Sequence, residues 1–181
     1  VRQLYRRVVD SLAVKIDLLT SVGTDRFLYN SLRYYGEPDE RDVANARFIL
    51  HSQSDTVDES HTVDSLEAQA RMRDHAASWG MQCRVERSRS LVANALVSNA
   101  RRAVILRADA KIGENAFQAL LHHELGIHMA TTLNADQQPL KVFSLGLPLN
   151  TLTQEGLAVL NEFLTGHLSR DRLKSLALRV L

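Results

Sequence analysis

Apolar residues change their spacing at Gly80, and that change restricts the chain to a mixed fold of helices and strands. Before it, Leu4, Val8, Leu12, Ile16 and Leu19 recur at helical intervals over 2–20, as an amphipathic helix requires. Gly23 interrupts the pattern, Thr24 or Asp25 stands where a cap would start the next helix, and 27–35 continues to Gly36. Pro38 suits the first turn of a third helix, with Val43, Ala46, Phe48 and Ile49 toward a core. The polar stretch 53–60 reads as a loop. A fourth helix over 63–79 ends at Gly80, a residue type favoured just past a helix terminus.

Beyond Gly80 the pattern alternates. The segments 82–88, 91–97 and 103–109 read as three short strands. Their connections are too short for crossovers, so the expected sheet is antiparallel. After Gly113, the residues Ala116, Leu120, Leu121 and Leu125 restore a helix. The stretch from Gln137-Gln138-Pro139 to Pro148 reads as an extended or irregular linker. Thr151 and Gln154 have the capping-box form at the start of a helix that runs through Phe163 and Leu164. A further helix starts near Ser169. The fold class is α+β, with a helical part over 1–80 and a sheet plus helices over 81–181.

Composition narrows the function classes. The chain has 181 residues, 45% hydrophobic and 24% charged, the composition of one globular domain. A formal net charge of +1 gives no global attraction to nucleic acid or anionic membrane. Arg6-Arg7 and Arg101-Arg102 are short enough to be solvated faces. No stretch is long and apolar enough to span a bilayer, and no signal peptide is visible. Cys83 is the single cysteine. No disulfide can form within the chain, which fits a reducing, cytoplasmic compartment. Cys83 lies in an alternating stretch and reads as a half-buried strand residue rather than a nucleophile. The chain begins at Val1 and stops inside the amphipathic pattern 173–178, so a longer native protein is expected.

Chemistry concentrates in His123-Glu124-Leu125-Gly126-Ile127-His128. Imidazole nitrogen is a good zinc ligand, and a Glu beside the first His is placed to act as base on a metal-bound water. The spacing sets a condition. Residues four apart on an α-helix differ by about 40° around the axis, whereas residues five apart differ by roughly 140°. One extra residue in the turn, a π-bulge, returns i and i+5 to one face. Gly126 lies between the two His, where a missing Cβ makes distortion cheaper. The motif therefore predicts an irregular helix at Gly126.

Catalytic zinc usually takes three protein ligands and keeps a place for water. Glu155, in Gln154-Glu155-Gly156-Leu157-Ala158, sits in the first turn of a helix, whose N-terminus favours negative charge. On the residues alone it is either a third ligand or a plain helix-start carboxylate. Gly156 beside it would let another element approach closely. Glu162 shares the helical face of Glu155 but lies about 10.5 Å further along, so one ion cannot bind both. His122 points about 100° away from His123, which suits a core or supporting role. His51, His61, His75 and His167 have no companion at ligand spacing and read as surface or capping residues. A small sheet followed by such a helix also places an edge strand beside the metal, and 103–109 is the candidate for pairing with an extended peptide.

The two segments together resemble a family of metallopeptidases known by its Gln-Glu-Gly-Leu-Ala motif. Its bacterial members are often labelled flavohemoglobin expression-modulating proteins, and its animal members include a tubulin tyrosine carboxypeptidase. The similarity extends from 19–35 and Gly36-Glu37-Pro38-Asp39 to about Leu164. The resemblance implies a mainly helical, zincin-like α+β domain with a small three-stranded antiparallel sheet before the metal-binding helix. It implies one zinc ion held by His123, His128 and Glu155, with Glu124 as general acid/base. Arg107 and Asn134 belong, by the same resemblance, to the substrate-binding surroundings. The animal enzyme has Glu where this chain has Gln154, which bears on substrate preference.

The expected function is zinc-dependent hydrolysis of a peptide or protein, with a carboxypeptidase as one form of it. Arg107 would then pair with a substrate carboxylate; its plainer reading is an ordinary strand arginine. A regulatory or scaffold module with a vestigial or structural metal site is the alternative. A helical core in which both His are structural is a third.

Overall fold

The computed structural model describes residues 1–53, 61–148 and 150–181. Three helices come first: α1 (Arg2–Thr20), α2 (Phe27–Tyr35) and α3 (Glu40–Leu50). Pro38 stays outside α3, because Asp39 caps it. The Asp39 carboxylate accepts from the Asp42 backbone N–H at 2.7 Å, and Asp42 accepts from that of Asp39 at 3.1 Å. On α1 only Val8 and Leu18 are buried, whereas Leu12, Ile16 and Leu19 are exposed. On α3, Ala46 is buried and Phe48 is 80% exposed, not a core residue. The stretch read as a loop lies, apart from Gln53, outside the described residues.

A short strand β1 (Thr62–Asp64) precedes α4 (Ser65–Ser78). The Asp64 carboxylate caps α4 by accepting from the backbone N–H groups of Leu66 and Glu67 at 2.8 and 2.9 Å. Gly80 follows with φ of 69°, the left-handed conformation that stops a helix at low cost. Next come β2 (Arg84–Ser88), β3 (Ala95–Ser98), β4 (Ala103–Arg107) and β5 (Lys111–Gly113). β5 pairs with β1 in a two-stranded antiparallel ribbon.

The three-stranded sheet corrects the antiparallel expectation. Its order is β2-β4-β3, with β2 and β4 parallel and β3 antiparallel to β4. The chain leaves β2, passes beyond the neighbouring position, returns as β3, and only then inserts β4 between them. The reason lies in β4 itself. Ala103, Val104, Ile105 and Leu106 are all buried, and a continuous apolar run belongs in a central strand covered on both faces. The same placement overturns the reading of this strand as the free edge. Among the described residues β2 and β3 are the edges, and β3 lies beside the His-bearing helix.

That helix is α5 (Glu114–His123), followed without a break by a π-helical segment, Glu124–Met129, and by α6 (Ala130–Asp136). Phe117, Leu121, Leu125 and Met129 are fully buried and join Met72, Val85, Val104 and Leu106 in one apolar cluster. A strict spacing of four drifts about 40° per step on a regular α-helix. The wider π-turn absorbs that drift and keeps the stripe on the sheet. The stretch expected as a linker contains a short helix, α7 (Val142–Leu145). Then come α8 (Asn150–Leu164) and α9 (Arg170–Ala177), the latter capped by the Ser169 hydroxyl. Among the described residues, no helix is long and apolar enough to cross a membrane.

Candidate metal centre

The helix irregularity expected between the two His is present, and a neighbouring helix explains why Gly126 is needed. Gly126 does not have positive φ, so it is not there for backbone freedom. A Cβ at this position would stand 2.7 Å from Asn161 Nδ2 on α8. That amide donates to the His122 carbonyl at 2.9 Å. A widened turn takes a carbonyl out of the α-helical ladder, and the Asn161 amide supplies a donor at the same turn. Gly126 is thus a close-approach residue.

With the turn widened, the His123 and His128 rings lie with centroids 4.8 Å apart. Both Nε2 atoms face one carboxylate on α8. His123 Nε2 is 3.6 Å from Glu155 Oε2, and His128 Nε2 is 3.5 Å from Glu155 Oε1. Two ligands bound at about 2.1 Å to a tetrahedral ion stand roughly 3.4 Å apart. The donor set therefore has the span of a single ion, and its three ligand atoms lie within 4.8 Å of one another. Two neutral imidazole nitrogens with one carboxylate suit a borderline divalent ion such as zinc. Both rings are largely covered, whereas the Glu155 side chain is about half exposed. The cluster thus opens to solvent along Glu155.

The opposite edges of the rings are held by acceptors. His123 Nδ1 lies 2.7 Å from Glu162 Oε1, and His128 Nδ1 lies 3.1 Å from Gln154 Oε1. Glu162 is 1% exposed. Its carboxylate also accepts from Arg172 of α9, Nη2 to Oε1 at 3.1 Å and Nε to Oε2 at 3.2 Å. Gln154 accordingly serves His128. The capping-box reading of Thr151 and Gln154 fails, because α8 begins at Asn150 and Thr151 lies inside its first turn.

Charges follow this arrangement. Burial works against a charged His123 ring, but hydrogen bonds to Glu155 and Glu162 overcome it and push its pKa up to about 9. A cation at Nε2 takes the place of that proton, so metal binding and protonation exclude each other. The hydrogen bond from His123 holds the Glu155 carboxyl below the usual range. Burial opposes the charge of Glu162, yet the His123 and Arg172 bonds prevail and keep it ionised. Glu124 is buried in the π-turn, and loss of water raises its pKa against the lowering pull of His123 and His128.

The remaining candidates make contacts of their own. Asn134, six residues beyond His128 on α6, lines a cavity of about 300 Å³ together with Thr131, Gln138, Phe143, Leu147 and Asn150. Arg107 sits at the end of β4, where Nη1 donates to the Val92 carbonyl at 3.3 Å and Nε lies 3.2 Å from Asp109 Oδ1. His122 stacks between Trp79 and His167, with centroids 5.7 and 5.8 Å away. Burial first, then His167 and His75, lower its pKa. Cys83 precedes β2 and packs against the core, and burial pushes its thiol up, away from nucleophilic use. A Cβ at Gly156 would meet nothing within 4 Å, so this glycine serves no close packing. Sequence reasoning passed over Asn161 and Arg172 and weighed Glu162 only as a rival ligand.

Fold and donor geometry together define a class: an α+β protein whose helix-borne His, His and Glu could hold one metal ion. The family follows from comparison. The chain belongs to the microtubule-associated tyrosine carboxypeptidase family, whose model matches residues 1–181. Membership in a carboxypeptidase family supports peptide hydrolysis as the general activity and a peptide or protein as substrate. No curated protein matches the chain, and no solved structure does.

Proposed function

We propose that this chain is a zinc-dependent peptide hydrolase that removes residues from a C-terminus. The observation that carries the reading is the convergence of His123 Nε2 and His128 Nε2 on the Glu155 carboxylate. These three residues would hold the ion. When bound, zinc polarises a scissile carbonyl and acidifies water at neutral pH. Glu124, adjacent to the first ligand, takes a proton from the attacking water. As the water oxygen bonds to the carbonyl carbon and the C–N bond breaks, Glu124 returns that proton to the leaving amine. Its burial supports this work, since loss of water raises the pKa of the carboxyl and makes the carboxylate a stronger base. An extended substrate would add to the free edge of β3, which lies beside the π-turn. Asn134 would contact the substrate from the cavity wall. Arg107 would take a substrate carboxylate by exchanging Asp109 for it.

Elemental analysis and peptide cleavage test this assignment together. The chain should carry about one zinc, lose it to a chelator, and release C-terminal residues from a peptide library. Glu124→Gln should retain zinc and lose turnover by a factor of at least about 100. Full activity in that variant would remove Glu124 as the base. Zinc without cleavage of any peptide would favour the regulatory module instead.

A further inference from the structure

We infer that the Glu162–Arg172 pair is a positioning device that presents His123 to the metal, so that α9 sets metal affinity without touching the ion. This rests on the metal reading above and goes beyond its ligand set. A carboxylate that is 1% exposed is costly unless its charge is met by partners. Glu162 has two. The Arg172 guanidinium grips both of its oxygens, and the Oε1 atom accepts from His123 Nδ1 at 2.7 Å. With the Nδ1 hydrogen committed to Glu162, the ring presents its Nε2 lone pair on the side facing Glu155. That is the tautomer a metal at Nε2 requires.

The helix repeat explains how one element does both jobs. Glu155 and Glu162 lie seven residues apart on α8, two turns or about 10.5 Å along one face. The His123 ring fills the interval, with Glu155 at Nε2 and Glu162 at Nδ1. The two imidazoles are therefore supported unequally. His123 is backed by an anion that is itself anchored from α9, whereas His128 is backed by the neutral amide oxygen of Gln154. Supporting carboxylates typically change metal affinity by about 10- to 100-fold. A neutral acceptor should contribute less.

Zinc affinity, measured by competition with a chromophoric chelator on the full chain at fixed pH, provides the test. Glu162→Gln should weaken zinc about 10- to 100-fold, and Gln154→Ala by a smaller factor. Arg172→Ala, which touches no assigned ligand, should also weaken zinc, and Arg172→Lys should recover part of the loss. Nitrogen-edited NMR of the zinc-loaded wild type should show a low-field proton on His123 Nδ1 that shifts upfield in Glu162→Gln, a change that general loosening would not produce. Should Glu162→Gln fold poorly, the Arg172 pair and the wild-type spectrum still decide the matter. Wild-type zinc affinity retained in Glu162→Gln and Arg172→Ala, or a His123 ring protonated at Nε2, would overturn the inference while leaving the metal site standing. A wild type that binds no zinc would overturn both.

Discussion

At the residue scale, Gly126 shows how a local signal can be right for a different reason. Its position between His123 and His128 marked the irregular turn, but the structure gives it the task of admitting Asn161. Gly126→Ala gains about 1 kcal/mol of helix propensity. It must also push the Asn161 amide off the part-buried His122 carbonyl, and losing one such hydrogen bond costs about 0.5–1.5 kcal/mol. Asn161→Ala makes the same carbonyl lose its donor. The two substitutions should therefore be coupled: in urea unfolding, the double variant should be less destabilised than the sum of the singles by about 1 kcal/mol. Strict additivity would separate the glycine from the amide. A second residue pair predicts a pH response. Arg71 donates to Glu114 at the start of α5, and this bond, with another from Gln118, lowers the Glu114 pKa from 4.5 to about 2. The folded carboxyl titrates below the unfolded one, so the stabilisation is complete above about pH 4.5 and fades as pH falls toward 2. Thermal midpoints of wild type and Glu114→Gln should differ at pH 7 and converge near pH 2. His123 and His128 were legible as a candidate pair because two imidazoles and a carboxylate within six residues imply chemistry, whereas Glu155 joined them only through the family resemblance. Asn161 and Arg172 were not, because their partners lie 39 and 10 residues away in sequence, and nothing local marks either.

At the element scale, helices with their own stop signals were readable and the sheet order was not. Gly36 and Gly80 end helices where left-handed backbone is needed, and both boundaries could be read within a residue or two. Strand order depends on which strand offers the longest apolar run to two covering faces. Ala103–Arg107 won that position, and no rule of connection length could reveal it. The stripe on α1 located that helix but not its cover: periodicity shows that a face is apolar, not that a neighbour covers it, and Ile16 and Leu19 remain exposed. Leu106 is 1% exposed at the centre of the sheet. Leu106→Ala should cost about 2–5 kcal/mol in denaturant unfolding, whereas the same change at exposed Leu152 should cost less than about 0.5 kcal/mol. Equal costs would contradict the assignment of β4 as the central strand. On α8, Gly156 packs against nothing. Gly156→Ala should stabilise by about 1 kcal/mol and leave metal binding intact; loss of zinc would show that this glycine serves the site after all.

At the scale of the whole molecule, the proposed centre joins the α5–π–α6 rod to α8, and through Glu162 to α9. A ligand that binds only the folded chain stabilises it by about 4 kcal/mol at a thousandfold excess over its dissociation constant. Zinc should therefore raise the unfolding midpoint of the entire molecule, and a chelator should reverse the gain. The most direct check of the central claim is the coordination of the bound metal, read by X-ray absorption on zinc-loaded chain and on Glu155→Ala. The wild type should hold one zinc with two imidazole nitrogens and a carboxylate oxygen at about 2.0–2.2 Å, and the variant should lose that oxygen and bind more weakly. Zinc bound with unchanged coordination in Glu155→Ala, or a wild type that takes up no metal, would contradict the three-ligand centre.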